Sequence, residues 1–266
     1  MPIHPTAIID KAAEIEPSAE VGPYVVIEGP VRVEADVKIY AHAYLCGPTR
    51  IGERCEIHMG AVVGHAPQDF AFTGERSYCE IGPETVVREY ATVHRGTIPE
   101  SKTVVGAHCL LAATSHVAHN CVVGDRAILM NGVLLAGHVH VGPRAFLSGG
   151  AGFHQFVRVG ELVMVSGGAQ ISSDLPPFLM VYGRNQVSGI NRVGVLRAEM
   201  PREDIEEVRQ AYKILYRSGK PLSLSIARLD ETLVTPAGRR MVDFLKADRK
   251  RPLLRPRLAR GGSPPE

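Results

Sequence analysis

An apolar residue recurs at every sixth position of this chain from Ile9 to Ile171, and 25 of the 28 positions in that series are aliphatic or aromatic. This period fits neither the turn of an α-helix nor the simple alternation of a hairpin sheet. It fits short parallel strands joined by tight corners, with three sides and about 18 residues in each coil. Each coil buries its apolar residues only against its neighbours, so the fold is a one-dimensional stack. The repeat therefore predicts an all-β parallel β-helix built from hexapeptide repeats.

A second column of small residues supports this prediction. Small side chains such as Ala13, Cys55 and Ala127 follow many of the apolar positions by four residues. Glycine often follows the apolar residue directly, and we interpret these glycines as corner positions that need an unusual φ. They are Gly22, Gly52, Gly64, Gly82, Gly106, Gly124, Gly142 and Gly160.

Two interruptions divide the repeat. The apolar series fails at Asp69, Glu75 and Pro99, yet it keeps its phase on either side of each gap. We therefore predict that residues 66–80 and 94–104 are excursions that leave the coil and rejoin it in register. Such insertions often carry binding residues, although a neutral surface loop explains the pattern equally well. The β-helix with both excursions is assigned to residues 1–190.

The C-terminal part follows a different pattern. Beyond Pro201 the apolar residues lie three to four positions apart, and acidic residues occupy the first turn, which indicates helices. We assign residues 191–248 to a C-terminal α-helical domain and expect the Pro-, Arg- and Gly-rich residues 249–266 to be disordered. The helical part also carries basic residues that form either a solvated face or a dock for an acidic partner. These are Arg192, Arg197, Arg202, Arg209, Lys213, Arg217 and Lys220.

Composition narrows the possible functions. A formal net charge of +2 and the absence of tryptophan argue against a nucleic-acid-binding protein. No apolar run approaches the length of a membrane-spanning helix, so we expect no stable membrane insertion. The five cysteines form no CxxC pair, and no secretory leader precedes them. We therefore expect reduced thiols and a cytoplasmic location.

Several of the 11 histidines fall on outward positions of the repeat. Residues about 18 apart lie on the same side of successive coils, which places His119, Gly137 and Gln155 in one column. Asn120 and His138 share the column beside it. A histidine base next to backbone and amide donors suits acyl transfer. A single histidine of this kind is more often a surface or packing residue, but the register of several favours a functional site.

A metal site is the alternative use of these histidines. Some β-helix enzymes are carbonic anhydrases that bind zinc through histidines five residues apart, and no two histidines here have that spacing. His116 and His119 could chelate a metal, although a pair alone is a weak signal. We therefore predict neither a metal nor another cofactor.

A series of motifs along the chain is specific enough to indicate a family. In order, it contains Gln68-Asp69, Gly74-Glu75, Val93 to Thr97, His116 to Cys121, Leu135 to Val139, His154 to Phe156, Asp174 to Pro177, Ala211 to Lys213 and Tyr216 to Lys220. This series resembles that of the UDP-N-acetylglucosamine 3-O-acyltransferases that begin lipid A synthesis. The resemblance extends from residue 1 to about residue 245.

The resemblance implies more than the repeat itself predicts. Members of this family are homotrimers of left-handed parallel β-helices, with active sites in the clefts between subunits. The acyl donor is a long chain carried by acyl carrier protein, an acidic partner that would suit the basic C-terminal face. The acceptor is UDP-N-acetylglucosamine, which is acylated on its 3-hydroxyl.

Roles for individual residues also follow from the resemblance. His119 matches the general base, the Gly137 N–H matches the oxyanion donor, and Asn120 follows the base. Contacts to the sugar, the phosphates, the nucleotide and the acyl chain match Asp69, His116, His138, His154, Gln155, Asn191 and Arg197. Gly167 and Met164 match the ruler that limits acyl-chain length, and glycine at this position favours a longer chain.

Four positions depart from the family pattern. The base is usually followed by an acid, and here Asn120 takes that place; an amide stabilises an imidazolium less well. A lysine, a glutamate and an arginine of the pattern are replaced by Ala71, Val193 and Ala198. These changes fall on the acceptor side, so a 3-amino nucleotide sugar acylated on nitrogen, or another nucleotide sugar, is an alternative acceptor. A β-helix that has lost activity is the non-enzyme alternative, which the intact His119, Gly137 and Gln155 argue against.

Overall fold

The computed structural model of the chain describes residues 3–254. Most of this length is a stack of very short strands. They are β1 (Ile8–Ile9), β2 (Glu14–Ile15), β3 (Glu20–Val21), β4 (Val26–Glu28), β5 (Val31–Val33), β6 (Lys38–Ile39), β7 (Tyr44–Cys46), β8 (Thr49–Ile51), β9 (Glu56–Ile57), β10 (Val62–His65), β11 (Tyr78–Ile81), β12 (Val86–Val87), β13 (Thr92–His94), β14 (Lys102–Val105), β15 (Leu110–Leu111), β16 (His116–Val117), β17 (Val122–Val123), β18 (Ile128–Leu129), β19 (Leu134–Leu135), β20 (His140–Val141), β21 (Phe146–Leu147), β22 (Gly152–Phe153), β23 (Arg158–Val159), β24 (Met164–Val165), β25 (Gln170–Ile171), β26 (Leu179–Tyr182) and β27 (Gln186–Ile190).

The strands form three parallel sheets, one for each side of the coil. The first sheet contains nine strands, from β1 to β25, and every third strand of the chain belongs to it. The second sheet contains eight strands, from β2 to β23. The third runs from β3 to β24 and ends with β26 and β27, which pair antiparallel. Parallel ladders that advance by three strands are those of a three-sided β-helix.

The core of the β-helix is the apolar series predicted from the sequence. Its members from Val21 onward are buried, with no more than 3% of their surface exposed. Ile9 and Ile15 are half-buried, because they lie in the first coil and have a neighbouring coil on one side only. Burying one such side chain contributes about 1.5–3 kcal/mol, so the stack is held by its regularity rather than by any single contact.

The glycines that follow the apolar positions have a different role from the one predicted. Only Gly64 among them has a left-handed φ. At the other seven, an added Cβ would lie 2.4–3.0 Å from an atom of the next coil, as at Gly82, where the nearest atom is the Gly106 carbonyl carbon at 2.5 Å. These glycines therefore allow close approach of neighbouring coils. The left-handed corner residue comes two positions later and is often not glycine, as at Tyr24, Arg54 and Arg126.

Both excursions rejoin the coil in register, but they are shorter than predicted. Residues 66–77 connect β10 to β11, and residues 95–101 connect β13 to β14. Residues 78–80 and 102–104, which were predicted to lie outside the coil, instead belong to strands that pair with each other. The six-residue series locates only the inward apolar residue, so it could not reveal how far each strand extends before it.

Helices cover the C-terminal end. They are α1 (Arg192–Arg197), α2 (Arg202–Tyr216), α3 (Leu222–Thr232) and α4 (Pro236–Lys246), and they enclose a second apolar core around Val208, Leu229 and Met241. Within the described residues, no helix combines the length and the apolar character needed to cross a membrane.

The chain does not leave the fold at residue 249, where disorder was expected to begin. Leu253 and Leu254 are buried. The Asp174 N–H donates to the Pro252 carbonyl over 2.8 Å, and the Leu254 N–H donates to the Asp174 carbonyl over 2.9 Å. Composition had indicated disorder. The burial of two leucines and the two backbone hydrogen bonds to Asp174 offset the conformational entropy that is lost when this segment becomes ordered. The rest of the predicted tail, 255–266, lies outside the described residues.

Candidate active site

One side of the β-helix carries a cleft of about 830 Å³. It is formed mainly by residues of the first sheet and of the corners that follow its strands, together with Gln68 from the first excursion. The predicted site residues among its walls are His116, His119, Gly137, His154 and Gln155. The cleft therefore gathers these five candidates from separate coils onto one surface.

The corners of three successive coils lie directly above one another, as the 18-residue spacing predicts. The His138 N–H donates to the His119 carbonyl over 3.0 Å. One coil further on, the Phe156 N–H donates to the Gly137 carbonyl over 3.1 Å. These two bonds place His119, Gly137 and Gln155 in one column.

The His119 ring is held through its Nδ1 nitrogen. Its Nδ1 lies 3.0 Å from the Asn120 Oδ1. The same oxygen accepts hydrogen bonds from the Thr97 N–H at 3.1 Å and the Thr97 hydroxyl at 2.9 Å. A backbone N–H can only donate, so this atom is the amide oxygen and His119 must donate to it from Nδ1. The proton of the neutral ring is therefore on Nδ1, and Nε2 keeps its lone pair.

The free nitrogen of His119 faces an acid from the first excursion. Nε2 lies 3.5 Å from the Asp69 Oδ2, beyond the range of a direct hydrogen bond. The His119 side chain is 7% exposed and the Asp69 side chain is 32% exposed. A basic nitrogen and a carboxylate thus flank a position that a protic group of a ligand can reach.

Gly137 supports the His119 ring from the next coil. A Cβ at Gly137 would lie 2.3 Å from the His119 Cε1 and 2.5 Å from its Nε2, so only glycine permits the observed ring position. No acceptor within residues 3–254 bonds the Gly137 N–H. Prolines occupy the equivalent corner position at residues 23, 83 and 143, which shows that this N–H is not needed by the ladder. The Gly137 N–H is therefore available to a ligand.

Two further histidines form an uncharged wall of the cleft. Burial, together with the nearby His116, lowers the pKa of His94 to about 4. Burial also lowers the pKa of His116, whose Nδ1 lies 2.7 Å from the Thr92 hydroxyl. No three His, Cys, Asp or Glu side chains in the described part of the chain are arranged to hold a metal ion.

His94 was not predicted as a site residue, although it lies in the motif from Val93 to Thr97. β13 pairs with β16, so Thr92 lies beside His116, which is 24 residues later rather than 18. The second excursion adds the extra residues. Counting its length into the repeat would have aligned these two strands.

His138 belongs to an aromatic stack beside His119. Its ring meets the His119 ring edge-on at 5.3 Å and stacks on Phe156 at 4.7 Å between centroids. Burial lowers the pKa of His138, and the nearby His119 and Lys250 lower it further. Lys250 lies over the other side of this stack, with its Nζ 4.2 Å from the Phe156 centroid.

The C-terminal segment also reaches His154 and Gln155. The Arg251 Nε donates to the Gln155 carbonyl over 2.7 Å, and its Nη2 contacts the His154 Nδ1. Neither Lys250 nor Arg251 was predicted as a site residue, because both fall in the stretch that was expected to be disordered. The signal that could have found them is Leu253-Leu254, a pair of adjacent leucines in a tail rich in Arg, Pro and Gly.

Of the 12 predicted site residues, seven are not among the residues that line the cleft. Asp69, Asn120 and His138 adjoin the His119 ring. The other four, Asn191, Arg197, Gly167 and Met164, lie elsewhere in the fold. Asn191 is buried and caps α1, accepting from the Gly194 N–H at 2.9 Å and donating to the Leu162 carbonyl at 2.8 Å. Arg197 is exposed in the last turn of α1. Gly167 is exposed at a corner, and Met164 is half-buried in β24.

Part of the predicted basic face forms a second hollow of about 480 Å³ between β27 and the helices. Arg192, Arg209, Lys213 and Arg217 line it together with Tyr212. Arg209 is paired with Glu206, and Arg217 lies over the Tyr212 ring. Four cationic side chains that line one hollow make a surface that favours an anionic group.

Comparison with known proteins agrees with this architecture. A family model described as "Udp N-acetylglucosamine O-acyltransferase; Domain 2" matches residues 174–254. A model of bacterial transferase hexapeptide repeats matches residues 30–65 and 102–137. Among solved structures, LpxA from Acinetobacter baumannii is 35% identical, with 96% of this chain and 100% of that chain covered and a TM-score of 0.92.

Two further solved structures extend the comparison across distant sources. LpxA from Bacteroides fragilis, titled a UDP-N-acetylglucosamine acyltransferase, is 36% identical, with 95% and 100% of the two chains covered and a TM-score of 0.91. The UDP-N-acetylglucosamine acyltransferase from Arabidopsis is 30% identical, with 95% and 99% covered and a TM-score of 0.81.

The fold, the histidine-lined cleft and these matches define an acyltransferase of the hexapeptide-repeat class. The predicted left-handed parallel β-helix with an α-helical C-terminal part is confirmed. More particularly, the chain belongs to the UDP-N-acetylglucosamine O-acyltransferase family.

Proposed function

We propose that this protein transfers a (3-hydroxy)acyl chain from acyl carrier protein to the 3-hydroxyl of UDP-N-acetylglucosamine, with His119 as the general base. This is the reaction that begins lipid A synthesis. The observation that carries the proposal is the His119 Nε2, which has no direct hydrogen bond within residues 3–254 and lies 3.5 Å from the Asp69 Oδ2 at the cleft wall. Family membership supplies the reaction class, and this geometry supports the roles that we propose for the residues.

The base acts through its fixed tautomer. Because Nδ1–H is committed to the Asn120 Oδ1, only Nε2 is able to take the proton of the acceptor. As the acceptor oxygen attacks the thioester carbonyl carbon, its proton passes to Nε2 and His119 becomes an imidazolium. The orientation of the ring thus comes from Asn120 and Thr97, both in the same subunit as the base.

Asp69 supplies the negative charge that the family pattern places next to the base. Asn120 is neutral, so it orients the ring but stabilises the imidazolium little. The Asp69 carboxylate becomes an ion-pair partner once Nε2 carries a proton. In this mechanism Asp69 both contacts the acceptor group and offsets the loss of an acid at position 120.

The tetrahedral intermediate carries its charge on the former carbonyl oxygen. The Gly137 N–H is unbonded within the described residues and adjoins the His119 ring, so it donates to this oxyanion. The intermediate then collapses, the carbon–sulfur bond breaks, and the imidazolium returns its proton to the leaving thiolate. Each proton taken by His119 is thus released in the same turnover.

The remaining predicted residues are assigned to binding. His116, His138, His154 and Gln155 would contact the sugar, the phosphates and the acyl chain. Asn191 and Arg197 would contact the nucleotide, and Gly167 with Met164 would set the depth of the acyl groove. An added Cβ at Gly167 would approach only the Gly149 carbonyl, at 3.3 Å, so the space beside it is open to a chain. Since these four lie away from the cleft, we place the complete site between subunits of a homotrimer.

The basic hollow formed by Arg192, Arg209, Lys213 and Arg217 is the proposed dock for the acyl carrier protein. Four cations suit the acidic surface of that partner. A dock of this type affects the association rate and its salt dependence more strongly than the chemical step.

A second acceptor is favoured by one specific observation. Nε2 of His119 and Oδ2 of Asp69 are two acceptors that face the same position. A hydroxyl can donate to only one of them, whereas an amine can donate to both. A 3-amino nucleotide sugar acylated on nitrogen is therefore the second candidate acceptor.

One experiment tests both acceptors. Purified protein and the His119→Ala variant are assayed with 3-hydroxyacyl carrier protein and either UDP-N-acetylglucosamine or its 3-amino analogue. Loss of a general base lowers kcat by roughly 10²–10⁴-fold. His108→Ala, which removes a half-exposed histidine paired with Glu84, is the matched control and should keep full activity. Equal rates for wild type and His119→Ala would refute the assigned base, and the ratio of the two acceptors decides between them.

A further inference from the structure

The segment 249–254 is fixed against the β-helix beside the cleft. Asp174 bonds it on both sides, through the Pro252 carbonyl and the Leu254 N–H. Asp174 is itself fully buried and paired with Arg158, whose Nε lies 2.8 Å from its Oδ2. The segment is therefore anchored independently of the side chain that contacts the cleft-lining residues.

That side chain is Arg251. Its Nε donates to the Gln155 carbonyl over 2.7 Å, and its Nη2 contacts the His154 Nδ1. Arg251 is not itself part of the cleft lining, whereas His154 and Gln155 are. It thus acts on the cleft from behind, through these two residues.

The contact has a chemical consequence for His154. A guanidinium has donors and no acceptor, so His154 must accept at Nδ1. A neutral imidazole that accepts at Nδ1 carries its proton on Nε2. We propose that Arg251 is a positioning residue that fixes His154 as the Nε2–H tautomer, so that the cleft receives a hydrogen-bond donor for a substrate oxygen.

Two of the four histidines that line the cleft, His119 and His154, are then set in opposite senses. His119 donates from Nδ1 to Asn120 and presents a bare Nε2, which suits a base. His154 accepts at Nδ1 from Arg251 and presents Nε2–H, which suits recognition of a phosphate, hydroxyl or carbonyl oxygen. The hydrogen-bond partner of Nδ1 thus determines whether Nε2 of each ring accepts or donates a proton. The role of the His154 Nε2–H in binding a substrate oxygen rests on the proposed acyl transfer, whereas the tautomer of His154 does not depend on it.

The tautomer is measured directly by nitrogen NMR of protein labelled with ¹⁵N-histidine, without substrate, at neutral to mildly alkaline pH. The His154 signals are assigned from the His154→Asn variant. The wild-type protein should show His154 with Nδ1 bare and Nε2 protonated. A wild-type His154 that is the Nδ1–H tautomer or an imidazolium would overturn the proposal, whatever the fate of any variant.

Arg251→Ala is then compared with Arg249→Ala, which removes a cation from the same segment. Within residues 3–254, the Arg249 side chain hydrogen-bonds only to the Leu245 carbonyl, at 3.2 Å, and Arg249 is not among the residues that line the cleft. In Arg251→Ala, we expect the His154 signal to become a mixture of tautomers and kcat/KM to fall about tenfold, as for loss of one charge-assisted hydrogen bond. Arg249→Ala should keep the wild-type signal and rate.

The kinetic parameters also identify the bound oxygen. A rise in KM for the nucleotide sugar alone assigns it to the acceptor, and a rise for the acyl carrier protein alone assigns it to the donor. Unchanged His154 signals in Arg251→Ala, or equal kcat/KM for the two arginine variants, would refute the positioning role. If no variant or wild type transfers acyl groups, the proposed function fails while the tautomer result still stands.

Discussion

The most demanding test of the site geometry is the addition of a single methyl group, Gly137→Ala. The new Cβ would lie 2.3 Å from the Cε1 and 2.5 Å from the Nε2 of His119. Carbon atoms in favourable contact are about 3.5–4.0 Å apart, so the ring must retreat by more than about 1 Å. Such a shift cannot preserve both the hydrogen bond from Nδ1 to the Asn120 Oδ1 and the distance from Nε2 to the Asp69 Oδ2.

A displacement of about 1 Å between reacting groups costs on the order of 100-fold in rate. We therefore expect Gly137→Ala to lower kcat about 100-fold. The change should leave the free energy of unfolding within about 1 kcal/mol of wild type, because φ at Gly137 is not in the left-handed region and alanine fits such a backbone. The assay is the initial rate with saturating acyl carrier protein and nucleotide sugar, with urea unfolding measured in parallel.

Gly152→Ala is the matched control in the same cleft. There the added Cβ would meet the Gln170 Oε1 at 2.9 Å, the far end of an exposed side chain that can turn away. Its kcat should remain within a few-fold of wild type. Wild-type kcat in Gly137→Ala would refute the assigned position of the base, and a large loss of stability would show that the rate reports unfolding instead.

The remaining predictions concern a buried ion pair, the orientation of the base and a buried histidine. Asp174→Ala removes the buried partner of Arg158 and should lower the free energy of unfolding by about 3–5 kcal/mol in urea; a change below about 1 kcal/mol would show that the pair is not needed. Thr97→Val removes one donor to the Asn120 oxygen and should lower kcat several-fold with little change in KM, as for a net hydrogen bond of about 1 kcal/mol; unchanged kcat would contradict the orienting role. The pKa of His94 is lowered to about 4 by burial, so the unfolded chain binds the extra proton between its ordinary pKa near 6.5 and pH 4. The free energy of unfolding should therefore be highest above about pH 6.5 and fall by roughly 3 kcal/mol toward pH 4. Urea unfolding measured across that range should show a smaller decline in His94→Asn. An equally steep decline in the variant would exclude His94 as its source.

Much of the fold was predictable because the repeat reports directly on burial. The apolar residue at every sixth position had to face inward, and the observed core follows the predicted series from Val21 onward. The corner glycines were identified correctly as special positions, but for all except Gly64 the predicted reason was wrong. Close approach between coils is a contact between distant parts of the chain, and no local rule for φ could reveal it. The same limit applies to the strand ends that shortened both excursions.

The candidate site was predictable where it shares the period of the coil. His119, Gly137 and Gln155 are separated by whole coils, so their column follows from counting. Thr97 and Asp69 lie in the excursions, where the count breaks, and their contacts with Asn120 and His119 emerge only from the folded chain.

The sequence alone determined that this chain is a coil of hexapeptide repeats with a helical end, because a six-residue apolar period has one packing solution. Its motifs, which are local strings of residues, also indicated the family. Only the tertiary structure decided which nitrogen of His119 is free and that Arg251 bonds the wall of the cleft. These features depend on single hydrogen bonds between residues whose separation in the sequence does not follow the six-residue repeat. They therefore form only when the coil, its excursions and its C-terminal segment are packed together.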